Sequence, residues 1–152
     1  MHVLVVEDNE HTRSALSRLL KRWGYDVTAA ENLQNGLKRL NAEPIDVLLS
    51  DIALPDGTGY ALVSEARRRG KDLLAIALSG YDYPSEVRIS KLTGFDHHLS
   101  KPCDCRHLRS LLEDRIDSRV QATGGDMSEM ESNQWPRIVE RIGQEFGPQV
   151  SA

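Results

Sequence analysis

Short apolar runs and helical stripes alternate along the first 120 residues of the chain. Val3, Leu4, Val5 and Val6 predict a strand over residues 2–6, closed by two acids, Glu7 and Asp8. Ala15, Leu16, Leu19, Leu20 and Trp23 then recur at helical spacing, which predicts a helix over 10–23 that Gly24 ends. A short strand over 26–30 precedes a helix over 31–40, with Leu33, Leu37 and Leu40 on one face. The third run, 45–50, is apolar almost throughout, as expected of a strand buried on both faces. A helix over 60–69 turns Leu62, Val63 and Ala66 inward and closes at Gly70. A strand over 73–78, a helix over 84–92 with Pro84 in its first turn, a strand over 95–99 and a helix from 103 to about 120 complete the alternation. Such strict alternation predicts an α/β fold: a doubly wound, five-stranded parallel sheet with helices on both faces.

The pattern breaks at Ala122-Thr123-Gly124-Gly125-Asp126, which divides the chain into a domain over 1–121 and a linker with a short tail over 122–152. Within the tail, Trp135, Ile138, Val139, Ile142 and Phe146 fall on one helical stripe. A helix this short is marginal alone, so the stripe needs a surface, either the domain itself or a partner. No second set of helices follows, so a helix-turn-helix reader, and with it direct DNA binding, is not expected.

A net charge of −4 does not favour nonspecific nucleic-acid binding. No apolar run approaches the roughly 20 residues of a membrane span. The first strand begins at His2, which leaves no room for a secretory signal, so a cytoplasmic location is expected. Cys103 and Cys105, with His97, His98 and His107 nearby, raise the question of zinc. The Cys-x-Cys spacing departs from that of structural zinc sites, and inert packing is the simpler reading. Arg67, Arg68 and Arg69 suggest a basic patch, but they stand in a helix's last turn, where cations offset the macrodipole.

The polar residues at the strand ends carry the chemistry. Glu7 and Asp8 end the first run, Asp51 the third, Ser79 the fourth, and Lys101-Pro102 follows the fifth. Parallel strands in one sheet would bring all of these to one mouth, where open α/β sheets place their sites. Three carboxylates gathered there repel each other, and a hard cation such as Mg²⁺ resolves the conflict. Phosphoryl transfer to Asp51 fits this set. An aspartyl carboxylate can act as a covalent acceptor, a lysine offers a point charge to a phosphoryl oxygen, and a serine offers a hydroxyl donor. Each residue alone has an ordinary explanation as a cap or turn. Their conjunction, with Pro55 and Gly59 at fixed offsets after Asp51, does not.

In these motifs, over residues 2 to about 120, the chain resembles the receiver domains of two-component response regulators. The resemblance implies a flavodoxin-like (βα)5 fold with strand order 2-1-3-4-5 and a cis peptide at Lys101-Pro102. It implies that Asp51 is the phosphoacceptor, and that Glu7, Asp8, Asp51 and the backbone carbonyl of Ala53 hold Mg²⁺. Ser79 and Lys101 match the hydroxyl switch and the phosphate-binding lysine. The implied donor is a histidine kinase or histidine phosphotransfer protein, and the output face is the fourth helix, fifth strand and last helix, which could also pair two copies as a homodimer. One position departs from the family. Three residues before the lysine, where Tyr or Phe is usual, stands His98, an imidazole that can fill a similar slot but titrates near neutral pH.

Two other classes share parts of this pattern. A haloacid-dehalogenase-like phosphatase needs a second acid two residues after its nucleophile, and here that position is Ala53. A flavodoxin-like nucleotide binder needs a glycine- or hydroxyl-rich first turn, whereas Glu7-Asp8-Asn9-Glu10 repels phosphate without a metal. The chain is thus read as a signalling domain that assists its own phosphorylation and dephosphorylation.

Overall fold

The computed structural model describes residues 1–80 and 83–122. The tail stripe from Trp135 to Phe146 lies outside the described residues. In chain order the elements are β1 (His2–Val6), α1 (Glu10–Arg22), β2 (Asp26–Ala30), α2 (Leu33–Ala42), β3 (Val47–Asp51), β4 (Ala53–Leu54), β5 (Gly57–Thr58), α3 (Gly59–Arg68), β6 (Leu74–Ser79), α4 (Pro84–Thr93), β7 (His97–Ser100) and α5 (Cys105–Ala122). Two compact units meet in sequence at Leu108 and Arg109, inside α5. The first carries both sheets and α1 to α4.

The main sheet has five strands in the order β2-β1-β3-β6-β7, all paired parallel. The lysine–proline bond at Lys101-Pro102 is cis. β1, β3 and β6 are almost wholly apolar because helices cover both of their faces. On one face Leu4, Val6, Leu48, Ala75 and Ala77 pack with Leu40 of α2 and Leu62, Val63 and Ala66 of α3. The alternate residues Val3, Val5, Leu49, Ile76 and Leu78 turn to the other face, and Leu16 and Leu20 of α1 are buried with them.

Local chemistry sets the helix ends. Asn9 caps α1 by accepting from Thr12 N at 3.0 Å, and Asn32 caps α2 by accepting from Asn35 N at 2.8 Å. The α2 start, expected at residue 31, therefore falls two residues later. Asp56 adds a second acceptor there, taking Leu33 N at 2.7 Å and Gln34 N at 3.0 Å. These bonds, that to Leu33 above all, hold its carboxyl below the usual carboxylate range.

Asp56 can reach α2 because residues 53–58 form a small antiparallel hairpin in which Ala53 pairs with Thr58 and Leu54 with Gly57. Gly59 ends it, and a Cβ there would run into the backbone carbonyl oxygen of Asp51. That close approach starts α3 directly beside the end of β3.

Arg67 is also more than a helix-end cation. Its guanidinium donates to the carbonyls of Gly94 at 2.9 Å and Leu73 at 2.9 Å, and to Asp96 Oδ2 at 2.9 Å. Asp96 in turn accepts from Ala75 N at 2.8 Å. Arg67 thereby ties α3 to the loops that enter β6 and β7. Arg68 and Arg69 do lie on the surface, paired with Glu65.

Candidate functional site

Register gathers the strand ends. Val6 pairs with Ser50, so Glu7 and Asp51, each one residue further on, emerge side by side. Asp51 pairs with Leu78, one residue before Ser79, and Ser79 pairs with Ser100, one residue before Lys101. Lys101 is further fixed by its backbone N–H, which donates to the Ser79 carbonyl at 2.7 Å. The acids and the lysine expected from sequence stand at one mouth.

Lys101 Nζ donates to Asp51 Oδ2 at 2.8 Å and to Glu7 Oε1 and Oε2 at 3.1 and 2.9 Å. Asp51 Oδ1 accepts from Ala53 N at 3.3 Å. Glu7 is 1% exposed and Asp51 6%, whereas Asp8 is exposed. One carboxylate oxygen from each of Glu7, Asp8 and Asp51 lies within 4.8 Å of the others. Among the described residues this is the cluster of acid, His and Cys side chains close enough to share an ion; His97, His98, Cys103, Cys105 and His107 do not form one. Burial, and then the charges of Cys105 and Asp104, push the Cys103 thiol up to about 11, in keeping with inert packing.

One ammonium facing three carboxylates leaves excess negative charge. Burial is the largest influence on Glu7 and raises its pKa, reinforced by the Asp51 charge and opposed by the bond from Lys101. Burial alone would lower Lys101, but its hydrogen bonds to Asp51 and Glu7 outweigh that and hold it above the usual lysine range. The mouth therefore stabilises added positive charge. Three hard oxygen donors with exposed Asp8 at the rim suit a divalent cation that prefers oxygen and keeps some of its water.

Ser79 and His98 occupy a second layer. Ser79 Oγ donates to Glu86 Oε2 at 3.3 Å, at the start of α4. His98 Nδ1 lies 2.9 Å from Ser90 Oγ, and Ser90 is fully buried on α4. Sequence reading had not singled out Glu86, Ser90 or Arg13. Arg13 reaches back from α1 to the carbonyls of Glu7 at 2.9 Å and Asp8 at 3.3 Å, steadying the acidic turn. Its position, six residues after Glu7, carries no local signal of this role.

A family model described as the response regulator receiver domain matches residues 3–113. The chain is 35% identical over 115 residues to an uncharacterized 14.6 kDa protein of Leptolyngbya boryana, covering 74% of this chain and 88% of that one. It is 34% identical over 104 residues to the two-component response regulator ORR8 of Oryza sativa, covering 66% of this chain and 86% of that one. Among solved structures, a CheY-like response regulator receiver domain protein from Methanospirillum hungatei superposes with a TM-score of 0.74 at 26% identity, covering 80% of this chain and 97% of that one. With its strand order, strand-end acids and lysine already in place, the chain belongs to the response regulator receiver domain family.

Proposed function

We propose that Asp51 accepts a phosphoryl group from the phosphohistidine of a histidine kinase or histidine phosphotransfer protein, and that the chain acts in a two-component phosphorelay. The observation that carries this reading is the 2.8 Å contact of Lys101 Nζ with Asp51 Oδ2 in a mouth where Glu7 and Asp8 add carboxylates. An Asp51 carboxylate oxygen attacks phosphorus, a P–O bond forms, and the P–N bond to the donor breaks, its electron pair returning to the imidazole ring. The product is an acyl phosphate. Glu7, Asp8, Asp51 and the Ala53 backbone carbonyl would hold Mg²⁺, which when bound supplies positive charge against the carboxylate and phosphoryl oxygens. Lys101 exchanges a carboxylate oxygen for a phosphoryl oxygen, and the Ser79 hydroxyl donates to another. Attack of water on phosphorus breaks the bond to Asp51, regenerates the carboxylate and releases phosphate.

The switch passes from Ser79 to His98 and out through α4 and β7, which would also serve a homodimer. The receiver spans residues 1–121, with 122–152 as linker and output tail. Among the described residues no helix is long and apolar enough to cross a membrane.

Incubation with Mg²⁺ and acetyl phosphate should add one phosphoryl mass to Asp51, stable in acid and labile in base. Asp51→Asn should take none while keeping its circular dichroism, because the amide is nearly isosteric but is no nucleophile. Unchanged labelling in that variant would refute the assignment.

A further inference from the structure

Glu86, on α4, meets Ser79 through its side chain. It stands in the first turn of α4, two residues after Pro84, where a carboxylate is favoured by the helix dipole. Its Oε2 accepts the Ser79 hydroxyl at 3.3 Å. Its backbone carbonyl accepts from Ser90 Oγ at 3.0 Å, and the same Ser90 oxygen lies 2.9 Å from His98 Nδ1. Glu86 thus touches the end of β6 with its side chain, and its main chain is one serine away from His98 on β7.

A serine hydroxyl has a single proton to donate. If the Ser79 proton serves Glu86 it cannot at the same time serve a phosphoryl oxygen. We infer that Glu86 is a positioning residue for the Ser79 hydroxyl, holding it on α4 until a phosphoryl group at Asp51 takes it over. This rests on the reading of Asp51 as phosphoacceptor. Two anionic acceptors then compete for one donor, and the carboxylate sets how strongly the switch resists. When Ser79 leaves, α4 loses its side-chain tie to β6 at the first turn while Ser90 keeps the next turn on His98. The start of the helix is released and its middle is held.

The test is the affinity of the intact chain for beryllofluoride with Mg²⁺, a stable phosphoryl mimic, read by calorimetry. Glu86→Ala removes the competing acceptor and should tighten binding about five-fold, the size of one ordinary hydrogen bond. Glu86→Gln keeps a carbonyl acceptor without the charge and should fall between the wild type and Glu86→Ala. In a Ser79→Ala background, Glu86→Ala should change the affinity less than about two-fold, because a double-mutant cycle isolates the pair. Equal tightening with and without Ser79 would mean that Glu86 acts only as a nearby negative charge, and would overturn the assignment. So would Gln behaving like Ala, or no effect of either. If acetyl phosphate labels Asp51 yet Glu86 has no Ser79-dependent effect, the positioning role alone falls. If neither acetyl phosphate nor beryllofluoride reacts at Asp51 in the wild type, the phosphoacceptor reading falls and takes this role with it.

Discussion

Glu7 is an acid held almost dry by the strand that ends in it, and Lys101 is what makes that tolerable. Removing one member of a buried pair costs more than the pair contributes, because the other charge is left behind. Lys101→Met should therefore lower metal-free stability by roughly 1–3 kcal/mol at neutral pH, read by urea denaturation, and slow phosphorylation by acetyl phosphate roughly a hundred-fold. The pH dependence has a definite sign. The pKa of Glu7 is raised above 4.5, so between that value and its folded value the native state holds more protons. Its contribution to stability falls as pH rises, and the deficit of Lys101→Met should shrink as the solution is made mildly acidic. Glu65 behaves in the opposite way. Bonds from Arg68 and then Arg69 lower it from 4.5 to about 2, so what it adds is complete above 4.5 and lost as pH falls toward 2. Glu65→Gln should therefore be less stable than the wild type at neutral pH, with the deficit closing as pH falls toward 2; a deficit that is the same at both ends would mean that Glu65 acts through something other than its charge. The acids and the lysine were legible in sequence because each stands at a strand end. Glu86 and Arg13 were not, because each acts from a helix that returns to the sheet edge, and no spacing along the chain encodes that return.

At the scale of elements, apolar runs identified the three inner strands of the main sheet, β1, β3 and β6, since a central parallel strand admits little else, whereas the edge strands β2 and β7 carry polar residues. Elsewhere a residue or segment has a tertiary task that local chemistry does not announce. Residues 53–58 carry the Pro, Asp and Gly of turn chemistry, yet they pair as β4 and β5 and bring Asp56 to the start of α2. Arg67 looked like its two neighbours, yet its fork serves carbonyls from two loops. Lysine has no planar fork to satisfy both directions. Arg67→Lys should therefore cost roughly 2–3 kcal/mol through carbonyls left without a donor, measured by urea denaturation, whereas Arg69→Lys should stay within about 0.5 kcal/mol. Equal losses at the two positions would reduce Arg67 to the helix-end cation that its sequence context suggests. Asn32→Ala, which strips the cap of α2, should cost about 1 kcal/mol.

For the whole molecule, strand order decides everything at the mouth, and alternation alone does not fix it. Alternation gives five parallel strands, but only β1 between β2 and β3, with β6 and β7 beyond, sets Glu7 next to Asp51 and Lys101 across from both. That order came from family resemblance, through motifs rather than periodicity. Its energetic consequence is a sheet edge that carries unbalanced negative charge before any ligand arrives. A cation that binds only the folded state stabilises it by mass action, roughly 2.7 kcal/mol at a hundred-fold excess over its dissociation constant. Mg²⁺ should accordingly raise the melting temperature of the wild type. Asp8 and Glu7 should then separate. Asp8 is exposed, so Asp8→Ala relieves repulsion; metal-free melting should rise while the response to Mg²⁺ collapses. Glu7 is 1% exposed and bonded to Lys101 through both oxygens, so Glu7→Ala loses a packed ion pair and should melt lower without metal. A full Mg²⁺ shift surviving in Asp8→Ala would move the cation to another site. A metal-free melting temperature that falls in both variants would instead make these acids part of what holds the fold, with the repulsion already answered by Lys101.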